Sequence, residues 1–339
     1  MKQAWLYNKL SSGCVQCHAC AFRCKIKNGG VGICGVRKNV NGKLYLQVYG
    51  KAVSAHVDPI EKKPLYHFLP GSNIFSIGTL GCNFGCDFCQ NFDISQRSKN
   101  KNITSWGQEL SPKTVVELCV KNDTPSIAFT YNEPAIFSEY AVDIMKEARK
   151  YNLKGVYVTN GYETKETLDF IEKYIDAYNI DLKSFSEKFY QKICKANFNR
   201  VVDTIKEVSR RKKWLEITTL LIPQENDSIE EIAEIAIFIK SLSKDIPWHI
   251  SAFYPAYKMS NKEVTSKDKL LSAYKIGKDI GLNYIYLGNI NSNKHSSTLC
   301  PKCCNVLIQR NGYQIITNNF KGVCPQCGNK IPGIFTIDE

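Results

Sequence analysis

From residue 74 onward, short apolar runs alternate with longer amphipathic stretches, and this alternation limits the fold more than any other feature of the chain. The runs Ile74–Leu80, Ser126–Tyr131, Gly155–Asn160, Tyr178–Lys183, Glu216–Ile222, His249–Tyr254 and Tyr284–Asn289 have the length and residue types of strands. The helices between them have recognisable ends. Ser111-Pro112 gives a cap followed by a first-turn proline, and Ser228-Ile229-Glu230-Glu231 has the form of a capping box. Thr265 opens another helix, which Gly281 can close. Repeated strand–helix units imply a parallel sheet with right-handed crossovers. Six or seven units are too few to close an eight-stranded barrel. The expected fold is therefore α/β, a partial (β/α)6 TIM-like barrel with its site at the carboxyl ends of the strands.

That rule singles out particular residues. A loop carrying Cys82, Cys86 and Cys89 leaves the first strand. Asn132-Glu133-Pro134 leaves the second, Thr159-Asn160-Gly161 the third, Asp181-Leu182-Lys183 the fourth, and residues 223–227 the fifth, while His249 sits in the sixth. Singly, each could be a loop residue or a helix cap. Falling after successive strands, they read as a pocket.

The spacing C-x3-C-x2-C gives that pocket its chemistry. Three thiolates in one loop can hold three corners of a cubane iron–sulfur cluster, whereas an electron-transfer cluster takes four. One iron is then left open, and an open coordination position separates reactive metal sites from structural ones. Cysteines that merely pack, or that bind zinc with a distant fourth ligand, are the weaker reading.

Of fifteen cysteines, thirteen fall into three clusters at ligand spacings. The first thirteen residues contain no apolar signal region, and no run approaches the ~18 apolar residues of a membrane span, so a cytoplasmic setting is expected. Thiols stay reduced there, which favours metals over disulfides. The front cluster reads Cys14-x2-Cys17-x2-Cys20-x3-Cys24-x9-Cys34. Its first four members have ferredoxin-like spacing with Lys25 in place of proline; Cys17, Cys20, Cys24 and Cys34 make an equally compact set. Zinc and iron–sulfur both suit such thiolates, in a closed structural or electron-relay site. The rear cluster, Cys300-x2-Cys303 and Cys324-x2-Cys327, has zinc-ribbon spacing, with Cys304 spare. Cys119 and Cys194 read as plain buried thiols. Three regions follow: a cysteine-rich front (1–70), the barrel (71–295) and a small ribbon (296–339).

The cysteine loop and Asp181-Leu182-Lys183 resemble the pyruvate formate-lyase-activating branch of the radical S-adenosylmethionine (radical SAM) enzymes. A closer resemblance, to the AmmeMemoRadiSam-system radical SAM enzymes, spans nearly the whole chain. It rests on Cys17-x2-Cys20-x3-Cys24, the stretches 32–37 and 58–65, Cys89-Gln90-Asn91, Ile94-Ser95-Gln96, residues 130–134 and the closing ribbon. The resemblance implies a [4Fe–4S] cluster on Cys82, Cys86 and Cys89, with S-adenosylmethionine on the fourth iron. It also implies Phe88 near the adenine, Asn132 and Glu133 at the methionine amino group, and Thr159 and Asn160 from the third strand. Asp181 and Lys183 would contact ribose and carboxylate, and His249 would add a further contact. Reductive cleavage to a 5′-deoxyadenosyl radical follows, with hydrogen abstraction from a protein or peptide. Glycyl-radical activation is one form, Memo-type proteins of the same system are one candidate partner, and flavodoxin or ferredoxin would be the electron donor.

Charge bears on the alternatives. Residues 1–70 hold eleven Lys/Arg against two Asp/Glu, a large part of the net +13, whereas the ribbon holds four against two. A basic front suits an acidic partner as well as nucleic acid. RNA modification is the second reading, but the ribbon lacks interleaved basic and aromatic residues, so nucleic acid is not the expected partner. A non-enzymatic metal scaffold is the third; the pocket residues argue against it.

Overall fold

All seven apolar runs become strands, and they lie side by side in chain order. The computed structural model describes residues 1–99, 103, 105–290, 292–318 and 320–337. Strands β2 (Asn73–Gly78), β3 (Ser126–Phe129), β4 (Lys154–Thr159), β5 (Ala177–Asp181), β6 (Trp214–Leu221), β7 (Trp248–Ala252) and β8 (Ile285–Gly288) pair in parallel throughout. The sheet thus holds seven parallel strands, the upper of the six or seven units the sequence implies. An eighth, β1 (Ser54–Pro59), adds to β2 in antiparallel sense. Its middle residues, Ala55, His56 and Val57, are exposed, and its proline sits at the strand end on a sheet edge, so no buried-strand signal marks it. β1 and β8 do not pair, which leaves the sheet open.

Local chemistry sets the helix ends. Helix α1 (Pro112–Lys121) begins where the Ser111 hydroxyl accepts from the Thr114 amide, with proline at the first helical position. Helix α2 (Ser138–Ala148) follows β3, α3 (Lys165–Ile171) follows β4, and α4 (Phe198–Arg210) precedes β6. Ser228 caps α5 (Ile229–Leu242) by accepting from Glu231. Ser266, not Thr265, caps α6 (Lys267–Ile280), and Gly281 closes it in the left-handed region. Thr265 is buried instead: it donates to the Leu221 carbonyl and accepts from the Phe253 amide. A buried hydroxyl so satisfied ties two strand ends together and cannot also cap.

The front region packs on the sheet through one buried ion pair. Arg37 reaches across to α2, donating to the Ile136 carbonyl at 2.9 Å and to both carboxylate oxygens of Glu139, Nη1 at 3.0 Å from Oε1. Glu139 also accepts from the amides of Trp5 and Leu6, so one carboxylate holds two strips of the front region against one helix. A short strand, Lys43–Leu46, lies between Lys2–Gln3 and Arg37–Val40.

At the other end, strands Thr298–Leu299, Val306–Asn311 and Gln314–Asn318 form an antiparallel sheet. This ribbon is not a loose appendage. Arg310 is fully buried, donates to the Tyr66 carbonyl and Thr298 hydroxyl at 2.8 Å each, and lies 3.4 Å from Glu61. Among the described residues, no helix is long and apolar enough to cross a membrane.

Glu139→Gln strands the Arg37 guanidinium and should lower unfolding free energy by roughly 3–5 kcal/mol, read from urea titration. An Arg37→Met/Glu139→Leu double variant should lose much less; an equal loss would show that packing, not charge pairing, dominates this contact.

Candidate functional site

The carboxyl ends of the parallel strands surround a cavity of about 550 Å³. Its lining includes Cys82, Cys86 and Cys89, together with Phe88, Asn132, Glu133, Thr159, Asn160, Asp181, Lys183 and His249. Residues from both ends of the sheet, Cys82 after β2 and Gly288 in β8, share that lining, so the sheet curves around the space. Sequence reasoning missed several other walls. Glu61, Lys63 and Tyr66 come from the front region, Thr218 and Ser251 from strands, and Tyr313 from the ribbon hairpin. Only the alternation of side chains along β6 and β7 could have flagged Thr218 and Ser251.

The cysteine loop is held from two sides. Gly81 takes φ of +100°, and a Cβ there would lie 2.7 Å from the Cys34 carbonyl oxygen, so the front region and this loop touch backbone to backbone. On the other side, the Gly85 and Asp87 amides donate to the carbonyls of Cys194 and Ile193, in a single π turn, Tyr190–Cys194. Cys194 is indeed buried, and its thiol lies against Cys86; that contact and burial push the Cys86 thiol well up. Cys89 sits 3.2 Å from the Ser95 hydroxyl.

Asn132 proves to be a clamp. Its amide nitrogen donates to the Gly81 carbonyl (2.6 Å) and the Thr79 hydroxyl (3.1 Å), while its oxygen accepts from the Thr79 amide. Both donor hydrogens are used, and the side chain fixes the loop that carries Cys82. Glu133 is buried and accepts from the Ala135 and Asn160 amides and from Thr159. The Thr159 hydroxyl also lies 2.6 Å from Glu163 and accepts from the Gly161 amide. A hydroxyl has one proton to give, so it cannot donate to two carboxylates at once. One carboxyl of the Glu133–Glu163 pair therefore carries a proton, in keeping with the upward shift that burial imposes on both.

Lys183 lies 2.6 Å from Asp181 and 5.7 Å above the Phe88 ring. Burial works against its charge, but Asp181 and the neighbouring thiols outweigh it and hold Lys183 well above its usual range. His249 presents Nε2 to Glu216 at 2.6 Å, and its ring packs against Tyr66 and Tyr286 at the edge of the cavity. Asn160 donates to Asn83 at 2.7 Å, 4.0 Å from Cys82 Sγ. Its own oxygen and the Asn83 nitrogen are buried without a partner.

The other cysteine clusters form two further groups. In the ribbon, the sulfurs of Cys300, Cys303, Cys324 and Cys327 all lie within 4.8 Å of one another, as one metal ion requires. Cys304 is exposed beside them. At the front, Cys17, Cys20, Cys24 and Cys34 act on one another electrostatically, and burial pushes each thiol up.

The chain matches the model of the radical SAM superfamily over residues 76–236. It is 38% identical over 335 residues to "Uncharacterized protein MJ0808" of Methanocaldococcus jannaschii, covering 98% of this chain and 99% of that one. The pyruvate formate-lyase-activating enzyme of Clostridium pasteurianum is 23% identical over 212 residues, 59% of this chain and 88% of its own. Among solved structures, Streptococcus suis SuiB bound to precursor peptide SuiA superposes with a TM-score of 0.49 at 17% identity, covering 67% of this chain and 50% of that chain. The chain belongs to the radical SAM superfamily. Membership implies an enzyme that uses a [4Fe–4S] cluster and S-adenosylmethionine, and the donor set fits. Three thiols stand on one cavity wall, and orphaned polar atoms of Asn83 and Asn160 lie beside Cys82.

Glu216 binds this wall to the ribbon. It accepts from the Tyr66 and His67 amides, the Trp214 indole and His249, and His67 in turn contacts the Pro332 carbonyl and the Tyr286 hydroxyl. Burial pushes His67 down to about 4, with Glu216 pulling the other way. An unfolded histidine takes a proton near pH ~6.5, so as pH falls from there towards 4 the unfolded state gains a proton that the folded state refuses. Stability should drop across that window by on the order of 3 kcal/mol. Urea midpoints of wild type against His67→Gln read the difference; parallel pH profiles would rule His67 out.

Proposed function

We propose that the protein cleaves S-adenosylmethionine reductively and abstracts a hydrogen atom from a protein or peptide, in the manner of the glycyl-radical-activating branch and the AmmeMemoRadiSam-system enzymes. The observation that carries the reading is the single cavity lined by three cysteines from one loop and by polar groups from successive strand ends. When bound, the cluster and S-adenosylmethionine supply a 5′-deoxyadenosyl radical.

The chain's own residues then have separable tasks. Cys82, Cys86 and Cys89 hold the cluster. Phe88 offers a ring to the adenine, with Lys183 and Asp181 beside it as a neutral pair that can divide between carboxylate and ribose. Glu133, Thr159 and Asn160 form the polar wall for the methionine end. Asn132 works one step back, fixing the Cys82 loop rather than touching the cofactor. His249 is oriented by Glu216. Tyr313 and Tyr66 cover the ribbon side, limiting the access of water and stray hydrogen donors. The open sheet leaves room for a polypeptide loop, and Memo-type proteins are the first partners to try. The ribbon cysteines hold zinc in this reading, with a flavodoxin or ferredoxin as donor.

Anaerobic reconstitution with reductant should yield 5′-deoxyadenosine and methionine, and Cys86→Ala should yield neither. A correctly loaded wild type without cleavage would sink the proposal. Asp181→Asn removes one charge-assisted contact and should weaken S-adenosylmethionine binding by roughly 10- to 100-fold, measured by equilibrium dialysis. Cys324→Ser should release the zinc and open residues 296–339 to proteolysis, because so small a unit depends on its metal. Retention of a protease-resistant ribbon without zinc would contradict that role.

A further inference from the structure

We propose that Cys17, Cys20, Cys24 and Cys34 hold a second iron–sulfur cluster, and that it relays one electron to the cluster on Cys82, Cys86 and Cys89. The relay rests on the proposed function; the identity of the front metal does not.

The two four-cysteine groups differ in geometry. Sulfurs on one zinc at 2.3 Å can stand no farther apart than roughly 4.6 Å. The ribbon meets this limit, with Cys300–Cys327 and Cys303–Cys324 sulfurs 3.6 Å apart. Among the described residues no such gathering occurs at the front, although three of its four thiols, Cys17, Cys20 and Cys34, are buried. Gly32 packs against two of these sulfurs: a Cβ there would lie 3.7 Å from Cys24 Sγ and 3.8 Å from Cys34 Sγ. Four thiols that share one neighbourhood without closing to single-ion spacing suit a cubane, which holds its ligands farther apart than a single ion does. Main-chain amides serve these sulfurs, Ala19 to Cys17, Phe22 to Cys20, Ile33 to Cys24, and Val36 and Arg37 to Cys34. Hydrogen bonds of this kind set the potential of iron–sulfur centres.

Position supplies the second argument. Cys34 touches the reactive loop directly, its carbonyl packed on Gly81 and accepting from the Ser98 hydroxyl at 2.8 Å. Lys99 lies within the electrostatic reach of Cys34 and of all three cysteines of the trio. A second link is aromatic. Phe22, between Cys20 and Cys24, packs on Tyr162 with centroids 4.9 Å apart, and Tyr162 packs on Phe84, between Cys82 and Cys86, at 5.0 Å. No water-filled gap is needed to cross from one site to the other.

The opposite face of the front site meets solvent. Cys24 is only partly buried, and Val31 and Ile33, in the segment from Cys24 to Cys34, are half exposed beside exposed Lys25 and Lys27. Exposed apolar residues and lysines in one short segment fit an acidic one-electron protein donor. The electron balance is simple: the donor is oxidised by one electron, the front cluster is reduced and reoxidised, and the trio's cluster gains that electron. No proton moves.

The test uses the full chain, reconstituted anaerobically with iron and sulfide. A Cys82→Ala/Cys86→Ala/Cys89→Ala variant should keep about four irons and as many labile sulfides per chain, with an electron paramagnetic resonance signal after reduction. Zinc there, with no iron or sulfide, would overturn the proposal. If that variant does not fold, wild type decides: about eight irons and two spin-coupled signals support it, about four refute it. For the relay, Cys20→Ser/Cys34→Ser should slow S-adenosylmethionine cleavage about tenfold with a flavodoxin-type donor and less than about twofold with dithionite. Equal loss with both reductants would exclude a relay. Absence of cleavage in wild type would overturn the proposed function, while the iron content of the trio variant would still judge the front cluster.

Discussion

A buried carboxylate, Glu216, organises the His249 side of the cavity. It has no exposed side-chain surface and accepts four hydrogen bonds, two from the Tyr66–His67 turn, one from Trp214 and one from His249. Burial alone would favour its neutral form, but the hydrogen bond from His249 and the other donors hold it ionised. Through it, three regions distant in the chain are fixed at once: the front turn, the barrel strands and, by way of His67, the ribbon. Such a network is stable only when every member is satisfied, because an unpaired charge at this depth is costly.

The same logic recurs around the reactive loop. Asn132, Glu133 and Thr159 spend most of their hydrogen-bonding capacity on the protein itself, fixing the backbone that presents Cys82 and Asn160. The atoms left over, on Asn83 and Asn160, are those beside the sulfur. Rigid surroundings with a few unspent polar groups are what a preorganised site requires. Burial pushes Glu133 and Glu163 towards their protonated forms, which limits negative charge beside the cysteine loop.

Much of this was legible in the chain. The parallel strands were readable because buried parallel strands are continuous apolar runs. The residues after them fell at one rim because parallel strands all end on the same side. Strand β1 was not legible, since an exposed edge strand has no apolar signature. Nor was the Thr265 outcome, because a threonine before a helix looks like a cap whether or not its hydroxyl is buried. Asn132 was legible as a rim residue but not as a clamp; only contacts with Thr79 and Gly81 reveal that.

By itself, then, the sequence determined the strand order, the three cysteine groups and the rim residues, because periodicity and ligand spacing are local properties. The tertiary structure decided what is distant along the chain. It joined Arg37 to Glu139, Glu216 to His249 and His67, and Arg310 to Tyr66. It also set Cys34 against Gly81, so that the front cysteines lie next to the reactive loop. Those contacts span tens to hundreds of residues, and what selects them is the need to pair every buried polar group, which no local pattern records.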